Sequence, residues 1–279
     1  MDVAFWQQIV DSYFQIPEDC NLIDLTSDLM QHLGASDPQL RDKYAYNILS
    51  RWITLYDYHT PDELRQMIDW LLPRLQTNIG SINDDSVFER SYAALILSLI
   101  AYRDTRSSFL EMEEMHELMR IGCEYLLYEA DSRAYIPEKG WANAYNHAAD
   151  FLRFLVYSPL LAPNEQMTVL HTVAKKVMMP ADTVYIHDED DRFARIVIAV
   201  LRRSEVLMAD LVAWQRHFTN WRQENPKPEE YQLTYHATHQ NIKMFLRALL
   251  AQVELMEYLP HVAHEFLPAL IETVRPFTL

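Results

Sequence analysis

A chain of 279 residues with four glycines and 49% hydrophobic residues is globular rather than disordered or fibrous. Its formal net charge of -16 argues against nucleic acid or an anionic membrane surface as the main partner, because phosphate recognition needs clustered Lys and Arg. Cys20 and Cys123 form no metal or disulfide pattern, acid stands where a leader carries base, and no apolar run spans a bilayer, so the expectation is a soluble, cytoplasmic protein.

Apolar residues recur at helical spacing almost throughout. Phe5, Ile9, Val10 and Phe14 mark a first helix, and residues 22–33 a second that Gly34 stops. Ser36-Asp37-Pro38 opens a third, with proline in the first turn where its missing N–H costs little. Thr60-Pro61-Asp62-Glu63 starts the next, and Asn83-Asp84-Asp85-Ser86 another that runs through Leu99. A helix over 110–128 follows, and then an irregular segment, 131–139, that contains Pro137. Further helices are predicted over 140–156, 164–178, 189–203 and 205–220. Pro226 and Pro228 break the chain within a loop near 222–234, since neither can continue a helix. A long helix over 235–257 and a short one after Pro260 complete a chain in which strand-like alternation is essentially absent.

Helix openers near Asp37, Asp84, Lys139 and Asp188 recur at roughly 45–55 residues, about one antiparallel helix pair with its loops. Arg41, Arg90 and Arg192 recur in these openers, each close to an aromatic and a small residue. This pattern predicts an all-α fold in one domain over 1–279. Its paired antiparallel helices would stack as an α/α superhelix, either a HEAT/armadillo-like solenoid or an α/α toroid, with one set of helices lining a concave surface.

The polar stretch Lys139-Gly140-Trp141-Ala142-Asn143 through Asp150 interrupts this apolar scheme. Asn143, His147 and Asp150 fall at i, i+4 and i+7, one face of a helix. The strings Ala35 to Tyr46, Asp84 to Ser91, Asp131 to Trp141 continuing through His147-Ala148-Ala149-Asp150, Glu189 to Arg192 and Asn241 to Leu249 together resemble the hallmarks, in order, of a bacterial family named domain of unknown function 2785. The resemblance implies no activity. At Asn143 the chain departs from the family's pattern, in which histidine is frequent, and asparagine is a far poorer ligand for a transition metal.

The expected function is a binding module for a protein, a peptide or a small polar ligand, with no cofactor and no resident metal. Its polar groove is expected to use Asp84, Asp85, Arg133, Lys139, Trp141, Asn143, Asn146, His147, Asp150, Asp188, Asp190 and Arg192. The alternative is an enzyme, such as a metal-assisted or acid/base hydrolase, with His147, Asp150 and Asp190 as catalytic candidates. No Gly-x-Ser-x-Gly elbow or phosphate-cradling glycine loop supports an enzyme. Trp141 is expected either to pack as a staple at a helix start or to floor a ligand site, and Cys123 to be a core thiol. His236 and His239, at i and i+3, are read as a solvated helix start, and Trp214, Phe218 and Trp221 as exposed aromatics that would mark a homo-oligomer interface.

Overall fold

The structure, a computed structural model, describes residues 1–257 and 261–278. It is predominantly helical, as the periodicity predicts, and it divides into two compact units. Unit 1 comprises Met1–Glu111 and Tyr128–Phe154; unit 2 comprises Met112–Leu127 and Leu155–Leu279. Among the described residues no helix is long and apolar enough to cross a membrane.

In unit 1, α1 (Val3–Asp11) and α2 (Leu22–Gln31) begin at side-chain caps from Asp2 and Asn21. The opener at Asp37 leads into a π-helical turn, Gln39–Tyr46, that runs directly into α3 (Asn47–Thr54). Helix α4 (Pro61–Leu71) starts with a capping box in which the Thr60 hydroxyl accepts from the Glu63 amide and the Glu63 carboxylate from the Thr60 amide. The central element is α5 (Ser86–Arg106), buried on most sides and packed against α3 and α4. A helix so enclosed is apolar around its circumference, as Tyr92 to Leu97 show.

The segment predicted to be irregular carries the one structural surprise. Tyr135–Ile136 (β1) and Gly140–Trp141 (β2) form an antiparallel pair, with Tyr135 opposite Trp141. Helix α7 (Ala144–Val156) therefore begins after Asn143 and not at Gly140. Gly140 lies at φ 80°, and a Cβ there would stand 3.1 Å from an Arg41 Nη2 and 3.2 Å from the Pro38 Cβ. Only glycine meets both demands, so this residue turns a strand instead of opening a helix.

Unit 2 holds most of α6 (Met112–Tyr128), together with α8 (Pro163–Met178), α9 (Glu189–Arg203), α10 (Met208–Glu224), α11 (Leu233–Glu254) and α12 (His261–Thr278). Helix α8 packs on α10, α10 on α12, and α9 on α11, so each meets the next but one in sequence. The helix expected after Pro260 is thus a full-length element, whereas Pro260 itself lies outside the described residues. Trp214 and Phe218 are fully buried against Phe245, with the Trp214 indole N–H donating to the Leu170 carbonyl. This corrects their reading as exposed interface aromatics. Their i, i+4 spacing turns both toward α8 and α11, and only Trp221 keeps partial exposure.

Candidate functional site

The polar residues of unit 1 gather around the β-hairpin. Arg41 is fully buried over the Phe88 ring, 4.0 Å from its centroid. It donates to the Ala35 carbonyl at 2.7 Å, to the Lys139 carbonyl at 2.6 Å and to the Asp42 carboxylate at 3.1–3.2 Å. Tyr92 donates its hydroxyl to Asp42, and the Trp141 carbonyl lies 3.2 Å from the same oxygen. Burial, and then the Asp42 charge, push the Tyr92 phenol well above its ordinary range, so it stays a donor. Arg41 thus satisfies the backbone carbonyl before Gly140, and the Tyr92 hydroxyl lies against the carbonyl after it.

A second buried pair anchors the start of the segment. The Arg90 guanidinium meets the Glu129 carboxylate through two bonds of 2.7 and 2.9 Å, both side chains being fully buried. Arg90 also donates to the carbonyls of Thr77 and Asn78 and to the Ser86 hydroxyl. Glu129 in turn accepts the Asp131 amide, and Asp131 accepts from Asn83 and Arg133. Arg133 reaches the Asp84 carbonyl at 2.9 Å, and the Lys139 ammonium sits 2.6 Å from Asp85. Hydrogen bonds from Ser86 hold the Asp84 carboxyl below its usual range. The arginines of two openers therefore bind backbone carbonyls as much as carboxylates.

His147 is buried on α7 with its Nδ1 2.7 Å from the Ser91 Oγ, and its ring meets Tyr92 edge to face. Ser91 is fully buried and its hydroxyl donates to the Ala142 carbonyl. With that proton committed, the hydrogen between Ser91 and His147 belongs to Nδ1. Asp150 is buried one turn on and lies 3.5 Å from Arg153. Asn146 is buried beside them, whereas Asn143 stands just before α7 at φ 51° and accepts the His147 amide on its carbonyl. The expected stripe of three thus becomes two helical residues and one residue at the helix start.

Trp141 lies on β2, ahead of α7, and so is not a staple within that helix. It is 44% exposed on β2, edge to face with Tyr135, itself 52% exposed, at 5.1 Å between centroids.

In unit 2, Asp188 precedes α9 at φ 66°. Glu189 turns back to accept the His187 amide, and Asp191 accepts from Gln252 on α11. Burial raises the Asp190 carboxyl above its ordinary range, and the Asp191 and Glu189 charges add to the effect. Arg192 occupies the first turn of the same helix and is half-buried. The later motif serves the fold. The buried Asn241 amide brackets the loop before α9, accepting the Tyr185 N–H and donating to the Thr183 carbonyl, both at 2.9 Å. Among the described residues, no group of three or more His, Cys, Asp or Glu side chains is disposed to hold a metal ion.

Sequence reasoning missed Ser91, Tyr92, Glu129 and Tyr135. It also missed a cleft of about 390 Å³ in unit 1, walled by Leu33, Gly34, Trp70, Arg74 and Glu89. Arg74 there lies over the Trp70 ring and 3.5 Å from Glu89.

The molecule is thus a predominantly helical protein with a single hairpin, among the described residues, whose turn the buried Arg41 holds at the Lys139 carbonyl. A family model described as Protein of unknown function (DUF2785) matches residues 75–251, and the chain belongs to that family. The match takes in the Arg90–Glu129 pair, the hairpin and α7; the string around Arg41 lies ahead of it. No curated protein and no solved structure gives a significant match.

Proposed function

We propose that this protein is a binding module whose contact face is the hairpin of unit 1, with Trp141 and Tyr135 as its anchors for a peptide or protein segment. The observation that carries this reading is the pair of large aromatic side chains, 44% and 52% exposed, in mutual contact on a strand pair. Buried charges and hydrogen bonds hold the backbone of that strand pair. Rigid, amphipathic aromatics lose little conformational freedom on binding, which is why they dominate interface hot spots. Asp85, Lys139, Arg133 and Asp84 supply the polar rim. The superhelical stacking of helix pairs belongs to the same proposal; the packing of α8 on α10 on α12 and of α9 on α11 supports it.

The catalytic alternative has one observation in its favour, the 2.7 Å contact between Ser91 and His147. Against it, Ser91 is fully buried and its proton is held by the Ala142 carbonyl. The test is selection of a displayed random-peptide library on the tag-free chain. A consensus peptide is expected whose affinity falls at least tenfold in Trp141→Ser and Tyr135→Ser while the melting temperature stays put. Failure to enrich a consensus, or wild-type affinity in both variants, overturns the reading.

A further inference from the structure

Helices α8 and α10 bring two histidines together on the exposed surface of unit 2. The Nε2 of His217 lies 3.2 Å from the Nδ1 of His171, with the rings at 84° to each other. Two imidazole nitrogens bound tetrahedrally to one zinc ion, at about 2.0–2.1 Å each, stand roughly 3.3 Å apart. The spacing here already matches that bite. The ligands also come from two packed helices, so the backbone fixes their separation.

We infer that His171 and His217 form a two-histidine site for a late first-row divalent cation, zinc, nickel or copper. Hard cations such as magnesium prefer oxygen and are not bound. Desolvation, and then the neighbouring His217, hold the His171 imidazole below its ordinary range. The ion takes the place of the hydrogen bond between the rings, and the imidazole that donates this bond shifts its proton to its other ring nitrogen, so both ligands remain neutral. Its remaining positions are filled by water or by a ligand from outside the chain. Residues 46 apart in sequence are thereby joined, tying α8 to α10 across α9. A ligand that binds only the folded chain stabilises it.

Zinc chloride titrated by calorimetry into the tag-free chain at pH 7.5 tests this. The expected result is a saturable site that raises the melting temperature, with copper tighter than nickel and no effect of magnesium. His171→Ala and His217→Ala each weaken zinc at least tenfold, whereas His236→Ala, on α11, leaves it unchanged. Both replaced side chains are exposed and alanine suits a helix, so the variants fold. Absence of a saturable zinc isotherm overturns the inference, as does wild-type zinc affinity in both His171→Ala and His217→Ala.

Discussion

Glu129→Gln tests the scaffold beneath the hairpin. Arg90 and Glu129 have no exposed side-chain surface and share two short bonds of 2.7 and 2.9 Å. Removing the carboxylate charge deprives the buried guanidinium of this counter-charge, and breaking such a pair costs about 3–5 kcal/mol. Glutamine keeps one acceptor oxygen, which places this variant near ~3 kcal/mol. With a urea slope of about 1–3 kcal/mol/M, the midpoint falls by roughly 1–3 M. Far-UV circular dichroism reads the midpoint. Hydrogen exchange adds a local measure at the Asp131 amide, which Glu129 accepts, and at the Ala142 amide, which pairs with the Ala134 carbonyl. Removing both partners as Arg90→Met with Glu129→Leu restores much of the loss, because no buried charge is stranded. A cost below about 1 kcal/mol for Glu129→Gln, or a double variant as unstable as the two singles summed, would refute the reasoning.

Three further outcomes follow from other parts of the chain. Gly140→Ala loses about 2 kcal/mol or more in chemical denaturation, through the positive φ and the approach to Arg41; an unchanged midpoint contradicts that. His59, which is 4% exposed and bonded to Thr26, has its pKa lowered from 6.5 to about 4 by desolvation. The neutral form is therefore the folded form: its contribution is whole above pH 6.5 and lost as pH falls toward 4, amounting to about 3 kcal/mol. Denaturation of wild type and His59→Gln between pH 7 and 4.5 should show a steeper loss in wild type, and parallel curves would dismiss the effect. Burial raises the Cys123 thiol to about 11, so a disulfide reagent labels the half-exposed Cys20 first and Cys123 only on unfolding; prompt labelling of a Cys20→Ser variant would show otherwise.

Helices were legible where caps and apolar periodicity agreed. Thr60-Pro61-Asp62-Glu63 forms its capping box, and α9 runs from Glu189 to Arg203 as its spacing predicts. The hairpin was not legible, because strands of two residues have no period to read. Gly140, read as a helix opener, instead turns a strand at positive φ, where a Cβ would crowd Arg41 and Pro38. The stretch from Gly140 to Asp150 was rightly singled out as polar, but its role depends on Arg41, Ser91 and Tyr92. These lie 49 to 98 residues away from their partners, and no local pattern announces such pairings. Trp214 and Phe218 were misplaced for a related reason: periodicity shows that two aromatics share a face but not whether another helix covers it.

The central claim is that the buried polar cluster supports the hairpin and the exposed aromatics bind. Measuring stability and peptide affinity side by side in His147→Gln and Trp141→Ser tests it most directly. The prediction is that His147→Gln lowers the denaturation midpoint and keeps affinity, while Trp141→Ser keeps the midpoint and loses affinity. Loss of binding in His147→Gln with Trp141→Ser unaffected would contradict the account.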